Sequence, residues 1–322
     1  MAKPVIVFMG TPEFSVPSLE ACASVGTVAM VVSQPDRPRG RGQKVSASPV
    51  KTWAIEHRVD VVQPEKVKGT DFLKKVAGVS PDVAVVAAYG KILPPDLLAV
   101  PRRGCINVHA SILPRYRGAA PIQWAIARGE VETGVSLMCM EAGLDTGPVF
   151  AQRRIPISAT ETGGALTSKL AMLGGQMLST ELLPYLDGRR EAEAQDSAAA
   201  TLAPLIKKQD ARLDFTQPAV DLERRIRAFD PVPGCFLVFE GQPHKIWKAA
   251  ARDEPGQPGA ILRADPNAFT IGCGTGVLDI LEMTPPGKRR MSGTEFLVGR
   301  KLAPGTKING GGGKEKSPGS SR

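Results

Sequence analysis

Short runs of Val, Ile and Ala recur along the first 140 residues, and their order limits the fold more than any other feature. They are PVIVFMG (4–10), TVAMVVS (27–33), VDVVQ (59–63), DVAVVAA (82–88), GCINVHA (104–110) and GVSLMCM (134–140). Between them, segments near 14–25, 50–58, 69–78 and 121–129 read as helices. Strands that are apolar almost without interruption are buried on both faces, and helices between them supply the covering layers. The expectation is an α/β domain, doubly wound on a mostly parallel, Rossmann-like sheet, with its ligands beyond the carboxyl ends of the strands. The first strand runs into GTPEFSVPS rather than GxGxxG, and two prolines occupy the turn, which disfavours a dinucleotide despite the fold.

The remainder of the 322 residues allows a second domain. A helix is expected over 161–186, closing a first domain of residues 1–186. The Ala-rich, polar stretch DGRREAEAQDSAAATLAP (187–204) reads as a linker. In VDLERRIRAFDP, Leu222, Ile226 and Phe229 fall on one helical face, and DPVPG ends the helix. Short strands punctuated by Gly and Pro then suggest a small β-barrel, OB-like, over 205–308. NGGGGKEKSPGSSR leaves 309–322 as a disordered tail. No apolar run reaches the length of a membrane span, and MAKPVIVFMG reads as a strand rather than a signal peptide. Five scattered cysteines without a CxxC pair argue against a disulfide framework or a metal site and for a reducing cytoplasm.

The net charge of +9 is unevenly placed. From Pro285 to Arg322 there are nine lysines and arginines against Glu295 and Glu315, a net of +7. Such a surface suits a polyanion, and a solvated tail is the competing reading. A second basic stretch, QPDRPRGRGQK (34–44), sets Arg37, Arg39, Arg41 and Lys44 against Asp36.

Chemistry is concentrated in CINVHASILPRYRGAAP (105–121). Side chains alternate along a strand, so Asn107 and His109 project from one face, about 7 Å apart. After the next apolar run, MEAGLDTGPV carries Asp145 between Gly143 and Gly147. Each residue alone has an ordinary structural explanation. Together they suit acyl transfer without a protein nucleophile: Asn and His can donate to a developing oxyanion, and His or Asp can manage the proton of an attacking amine. There is no GxSxG, and Cys105 has no reactive signature.

At these residues the chain resembles the methionyl-tRNA formyltransferase family. NVHASILPRYRGAAPIQWAI, MEAGLDTGPV, FMGTPEFSVPSL and QPDRPRGRGQK carry the resemblance, and ERRIRAFDPVPG, KIWKA, PGAIL and MSGTEFLVGRKL extend it to about Leu302. The resemblance implies transfer of a formyl group from the co-substrate 10-formyltetrahydrofolate to the α-amine of methionine on initiator methionyl-tRNA. It implies no metal, no membrane and no obligatory protein partner. Asn107, His109 and Asp145 match the catalytic set. Ser111, Ile112, Leu113 and Pro114 match the folate-binding turn, where the family more often has Leu for Ile112. Arg37, Arg39, Arg41 and Lys44 match the loop that enters the tRNA acceptor stem. The family commonly has Lys where this chain has Leu205, and Lys207 and Lys208 follow as candidate tRNA contacts. The rivals are a sugar-nucleotide or purine-precursor formyltransferase, which would not need the arginine loop, and a non-catalytic RNA-binding protein.

Overall fold

The computed structural model describes residues 3–39, 44–300 and 302–308. It divides into two compact units. The first runs from the N-terminus to Ala125 and takes in Glu130–Ala159 and Ala165–Leu205. The second comprises Ile126–Gly129, Thr160–Gly164 and the chain from Ile206 onward. The tail 309–322 lies outside the described residues.

In the first unit the elements follow in the order β1 (Val5–Gly10), α1 (Val16–Val25), β2 (Thr27–Val32), β3 (Arg37–Arg39), β4 (Lys44–Ser46), α2 (Pro49–Glu56), β5 (Val61–Val62), α3 (Thr70–Gly78), β6 (Val83–Ala87) and α4 (Pro95–Leu98). After these come β7 (Cys105–His109), α5 (Pro121–Ala127), β8 (Glu132–Cys139), β9 (Val149–Pro156) and α6 (Gly163–Leu186). The main sheet has seven strands in the order β5-β2-β1-β6-β7-β8-β9. Pairing is parallel from β5 through β7 and antiparallel at β7–β8 and β8–β9.

Both faces of the parallel part are covered. Val7, Met9, Met30, Val32, Ala84, Val86 and Cys105 meet Phe72, Val76 and Leu97 on one side. Ile6, Phe8, Val31, Val85, Ile106 and Val108, the alternating residues of the same strands, are buried on the other. Each of the Val, Ile, Leu, Phe and Met side chains contributes about 1.5–3 kcal/mol of burial, which is why these strands read as unbroken apolar runs.

The sheet is mostly parallel, as the sequence leads one to expect, with an antiparallel edge at β8 and β9. The apolar run at 134–140 reverses direction, and β9, whose middle is Gln152, Arg153 and Arg154, carries no such run. An apolar run fixes burial but not direction. Residues 37–39 and 44–46 pair as a small hairpin rather than a plain loop, with Arg37 opposite Ser46 and Arg39 opposite Lys44. Arg41 lies outside the described residues.

The second unit holds α7 (Ala219–Ala228), β10 (Cys235–Phe239), β11 (Gln242–Arg252), β12 (Ile261–Asp265), β13 (Ala268–Gly272), β14 (Val277–Thr284), β15 (Met291–Ser292) and α8 (Gly293–Leu297). Its strands form one antiparallel sheet along the path β10-β11-β14-β13-β12, with β15 beside β14. Leu222, Ile226 and Phe229 are fully buried. Among the described residues no helix is long and apolar enough to cross a membrane.

Candidate active site

The strand order changes direction between β1 and β6, because β1 leads outward to β2 while β6 begins the other half. Open α/β sheets hold ligands at such a switch point. A cleft of about 380 Å³ opens there, lined by Thr11 and Pro12 after β1, Gln34 to Arg37 after β2, Ser46, Ser48 and Ala88 after β6. Two of its lining residues, Gln34 and Asp36, are held in a polar network. Lys51 Nζ donates to Asp36 Oδ2 at 2.5 Å and to Gln63 Oε1 at 2.8 Å. Gln63 Nε2 donates to Asp36 Oδ1 and to the Gln34 carbonyl, both at 2.8 Å. Asp36, the one acid of the basic stretch, therefore anchors the base of the β3–β4 hairpin.

Next to β6, strand β7 carries Asn107 and His109 on one face. His109 is buried, at 5% exposure. Strand β8 runs antiparallel, with Cys139 opposite Ile106, so the segment that follows it starts beside the first half of β7. That segment returns Asp145 to the same face. Asp145 Oδ1 accepts from Asn107 Nδ2 at 3.3 Å, and Oδ2 lies 3.7 Å from His109 Nδ1. The Gly118 backbone N–H donates to Asp145 Oδ2 at 2.8 Å. Asp145 has φ 52°, a left-handed conformation that Asp tolerates better than most side chains. Gly147 is required by close approach, since a Cβ there would stand 1.9 Å from the Cys139 carbonyl oxygen.

The histidine has a defined hydrogen-bond polarity. His109 Nε2 is 2.9 Å from the Tyr116 carbonyl oxygen. A carbonyl only accepts, so Nε2 carries the hydrogen, and in the neutral ring Nδ1 presents a lone pair on the side of Asp145. Cys105, on the same strand face, takes no part as a nucleophile: burial pushes its thiol up to about 12, so at neutral pH it stays protonated. The arrangement can accept a proton at Nδ1, hold the resulting positive charge against Asp145, and offer the second N–H of Asn107 to a developing negative oxygen.

Models of two domains match this chain, that of formyl transferase over residues 3–182 and that of the formyl transferase C-terminal domain over residues 205–301. The chain belongs to the formyl transferase family. A methionyl-tRNA formyltransferase of Myxococcus xanthus is 53% identical over 306 residues, covering 95% of this chain and 98% of the relative. One from Geobacter sulfurreducens is 43% identical over 311 residues, covering 96% and 98%. The solved structure of an N-formyltransferase from Helicobacter canadensis, in complex with folinic acid and dTDP-3-aminofucose, has a TM-score of 0.64 at 19% identity, covering 87% of this chain and 99% of that one. That last likeness is one of fold.

In this formyl transferase the turn Ser111–Pro114 is bound tightly into the first unit. Ser111 Oγ donates to the Arg115 carbonyl at 2.6 Å, and Ser136 Oγ donates to the Ser111 carbonyl at 2.7 Å. The Leu113 N–H donates to Ser136 Oγ at 3.0 Å, and Gln152 Nε2 to the Leu113 carbonyl at 2.8 Å. Ser111 and Leu113 are buried, and Ile112 and Pro114 are half-buried. The Ser111 carbonyl and the Leu113 N–H and carbonyl thus have partners inside the protein, and the two half-buried side chains form the turn's accessible edge.

Residues that sequence reasoning missed hold the site in place. Gln195 Nε2 donates to the Asp145 carbonyl at 2.9 Å and the Gly147 carbonyl at 2.7 Å. Buried Arg117 in turn donates to Gln195 Oε1 at 3.1 Å from Nε and 2.8 Å from Nη2. The Arg117 N–H donates to the Thr201 carbonyl, and the Ala203 N–H to the Arg117 carbonyl. The stretch 187–204, which reads as a linker from composition, therefore supplies part of the frame around Asp145. Arg117 stood inside the quoted motif, but nothing in the sequence pairs it with a glutamine 78 residues away.

Arg37 is exposed on the hairpin, and Lys207 and Lys208 are exposed near a short 3₁₀ turn over Lys208–Ala211. Leu205 is 69% exposed. In the second unit two cations lie over the Trp247 ring, Lys245 Nζ at 5.1 Å and the Arg290 guanidinium at 5.4 Å from its centre.

Proposed function

We propose that this formyl transferase moves the formyl group of 10-formyltetrahydrofolate onto the α-amine of methionine on initiator methionyl-tRNA, in the cytoplasm, for the start of translation. The observation that carries the chemistry is the meeting of Asp145 with Asn107 and His109, which share one strand face, at 3.3 Å from Asn107 Nδ2 and 3.7 Å from His109 Nδ1. The acceptor is supported by the near full-length identity to proteins of that name in Myxococcus xanthus and Geobacter sulfurreducens. The cytoplasm is supported by five free cysteines, four of them buried.

The amine nitrogen forms a bond to the formyl carbon, the bond from that carbon to N10 of the folate breaks, and one proton passes from the amine to N10. His109 Nδ1 takes the proton as the amine attacks. Once protonated, the ring has donors at both nitrogens, and Asp145 stabilises its charge across 3.7 Å. Asn107, with one N–H directed to Asp145, has the other for the formyl oxygen as negative charge builds there. His109 then returns its proton to the leaving nitrogen, so one residue serves both directions of transfer. The cleft beyond β1 and β6 is the place for the aminoacyl end, and the basic hairpin and the second unit are the surfaces for the tRNA backbone.

The test is a folate-dependent formylation assay with charged initiator tRNA, free methionine and an amino-sugar nucleotide as separate acceptors. Formylation of the tRNA alone is expected. Turnover of the amino sugar without tRNA formylation would overturn the proposed acceptor, and no turnover with any of them would overturn the proposed reaction.

A further inference from the structure

The carbonyl that orients His109 belongs to a residue in an unusual state. Tyr116 is buried, and its φ is 62°, in the left-handed region that glycine and asparagine fill at low cost. A large aromatic side chain there must be held by contacts that offset the strain, and three are present. Tyr116 Oη donates to Glu130 Oε1 at 2.6 Å. Its N–H donates to Thr201 Oγ1 at 2.9 Å. The Arg115 guanidinium, which pairs with Glu130, lies 5.4 Å from the centre of the Tyr116 ring. A backbone outlier held by several partners beside a reacting group is where strain is tied to function.

We infer that Tyr116 and Glu130 are positioning residues for the reaction: by fixing the Tyr116 backbone they aim its carbonyl at His109 Nε2, and so hold the neutral imidazole in the one tautomer whose Nδ1 can accept the amine proton. The inference rests on the proposed role of His109 as proton acceptor. Without the carbonyl the neutral ring could carry its hydrogen on Nδ1, where Asp145 would attract it, and Nδ1 would then have no lone pair for the amine. The hydroxyl of Tyr116 acts at a distance, through its own main chain. It touches no reacting atom.

The chain contains three histidines, which makes the tautomer directly measurable by ¹H–¹⁵N spectra of the ring nitrogens in the full-length protein. His109 is expected to carry its neutral-state hydrogen on Nε2. Tyr116→Phe keeps the ring and removes only the anchor to Glu130. It is expected to give a mixture of tautomers and to lower kcat about 10- to 10²-fold, in line with the cost of displacing a reacting group by about 1 Å, with KM for both substrates unchanged. Glu130→Ala should match it, and Glu130→Gln, which keeps an oxygen for the tyrosine hydroxyl, should recover most of the loss. An Nδ1-protonated His109 in the unaltered protein would overturn the inference. So would loss of activity in Tyr116→Phe with the tautomer unchanged, or a changed tautomer with full activity. The spectra need no turnover, so they report on the positioning even if the acceptor proposed above is wrong.

Discussion

Asp145→Asn is the sharpest perturbation of the site, because the replacement is the same size and its effect can be worked out atom by atom. The carboxylate accepts on both oxygens, Oδ1 from Asn107 and Oδ2 from the Gly118 N–H. An asparagine has one oxygen. If that oxygen stays on Gly118, its NH₂ meets the NH₂ of Asn107, and if it turns round, its NH₂ meets the Gly118 N–H. Either way two donors face each other, which leaves one of them unmatched at a cost of about 1–3 kcal/mol. Asn107 can relieve the first clash only by flipping its own amide, which would swing its carbonyl toward the formyl oxygen. The lost charge matters as well: two unit charges about 4 Å apart attract by about 4 kcal/mol at an effective dielectric of about 20, an upper limit for the help given to a protonated His109. Since about 1.4 kcal/mol is a factor of ten, a fall in kcat of about 10²–10³ is expected. The assay is formyl transfer to charged initiator tRNA with both substrates saturating, alongside circular dichroism and a thermal melt. A folded variant turning over within tenfold of the unaltered enzyme would refute the reasoning, since neither the donor clash nor the charge would then bear on the reaction.

Asn107→Ala and His109→Ala should each lose about 10²–10³ in kcat while tRNA affinity, read by filter binding, stays close to that of the unaltered protein. Arg41→Ala should depress formylation far more than tRNA affinity, whereas deletion of 309–322 should mainly flatten the salt dependence of binding, and a salt series on both variants checks this. Burial holds the His244 imidazole below its ordinary pKa, between Phe239 and Phe296 at ring distances of 6.0 and 5.4 Å. The folded chain therefore keeps this ring neutral, and the stability it contributes is present above about pH 6.5 and is lost as pH falls. His244→Phe should make the acid side of the stability curve shallower, and parallel curves from melts between pH 7.5 and 5 would count against that account.

The sequence makes some parts of this molecule legible for a plain physical reason. β1, β2, β6 and β7 are short, apolar and sheathed on both faces, so their burial is written in consecutive residues. Asn107 and His109 are legible because they break that pattern at period two, and polar groups on a buried strand need partners. The direction of β8 is not legible, and β9, half-exposed and rich in arginine, has no apolar signature. Glu130 and Gln195 are silent in the same way: each is an ordinary polar residue until a fold places it against Tyr116 or Asp145.

The two left-handed residues of the site, Asp145 and Tyr116, explain why local reading stops where it does. An Asp between glycines is what a turn looks like, and a Tyr between two arginines looks like a solvated loop. At Gly118 and Gly147 the backbone itself sets the requirement, because a Cβ would meet a carbonyl oxygen at 2.6 Å from Ala203 and 1.9 Å from Cys139. At 116 and 145 the backbone alone would also be served by glycine, and the chain carries side chains instead. Those side chains are the ones that reach Glu130 in one case and Asn107 in the other. The left-handed backbone at these two positions thus accompanies a carbonyl aimed at His109 Nε2 and a carboxylate facing His109 Nδ1, at a cost that falls mainly on Tyr116, since Asp tolerates this region. A sequence pattern built on local preference finds the histidine and misreads its keepers, because the keepers are where local preference has been overruled.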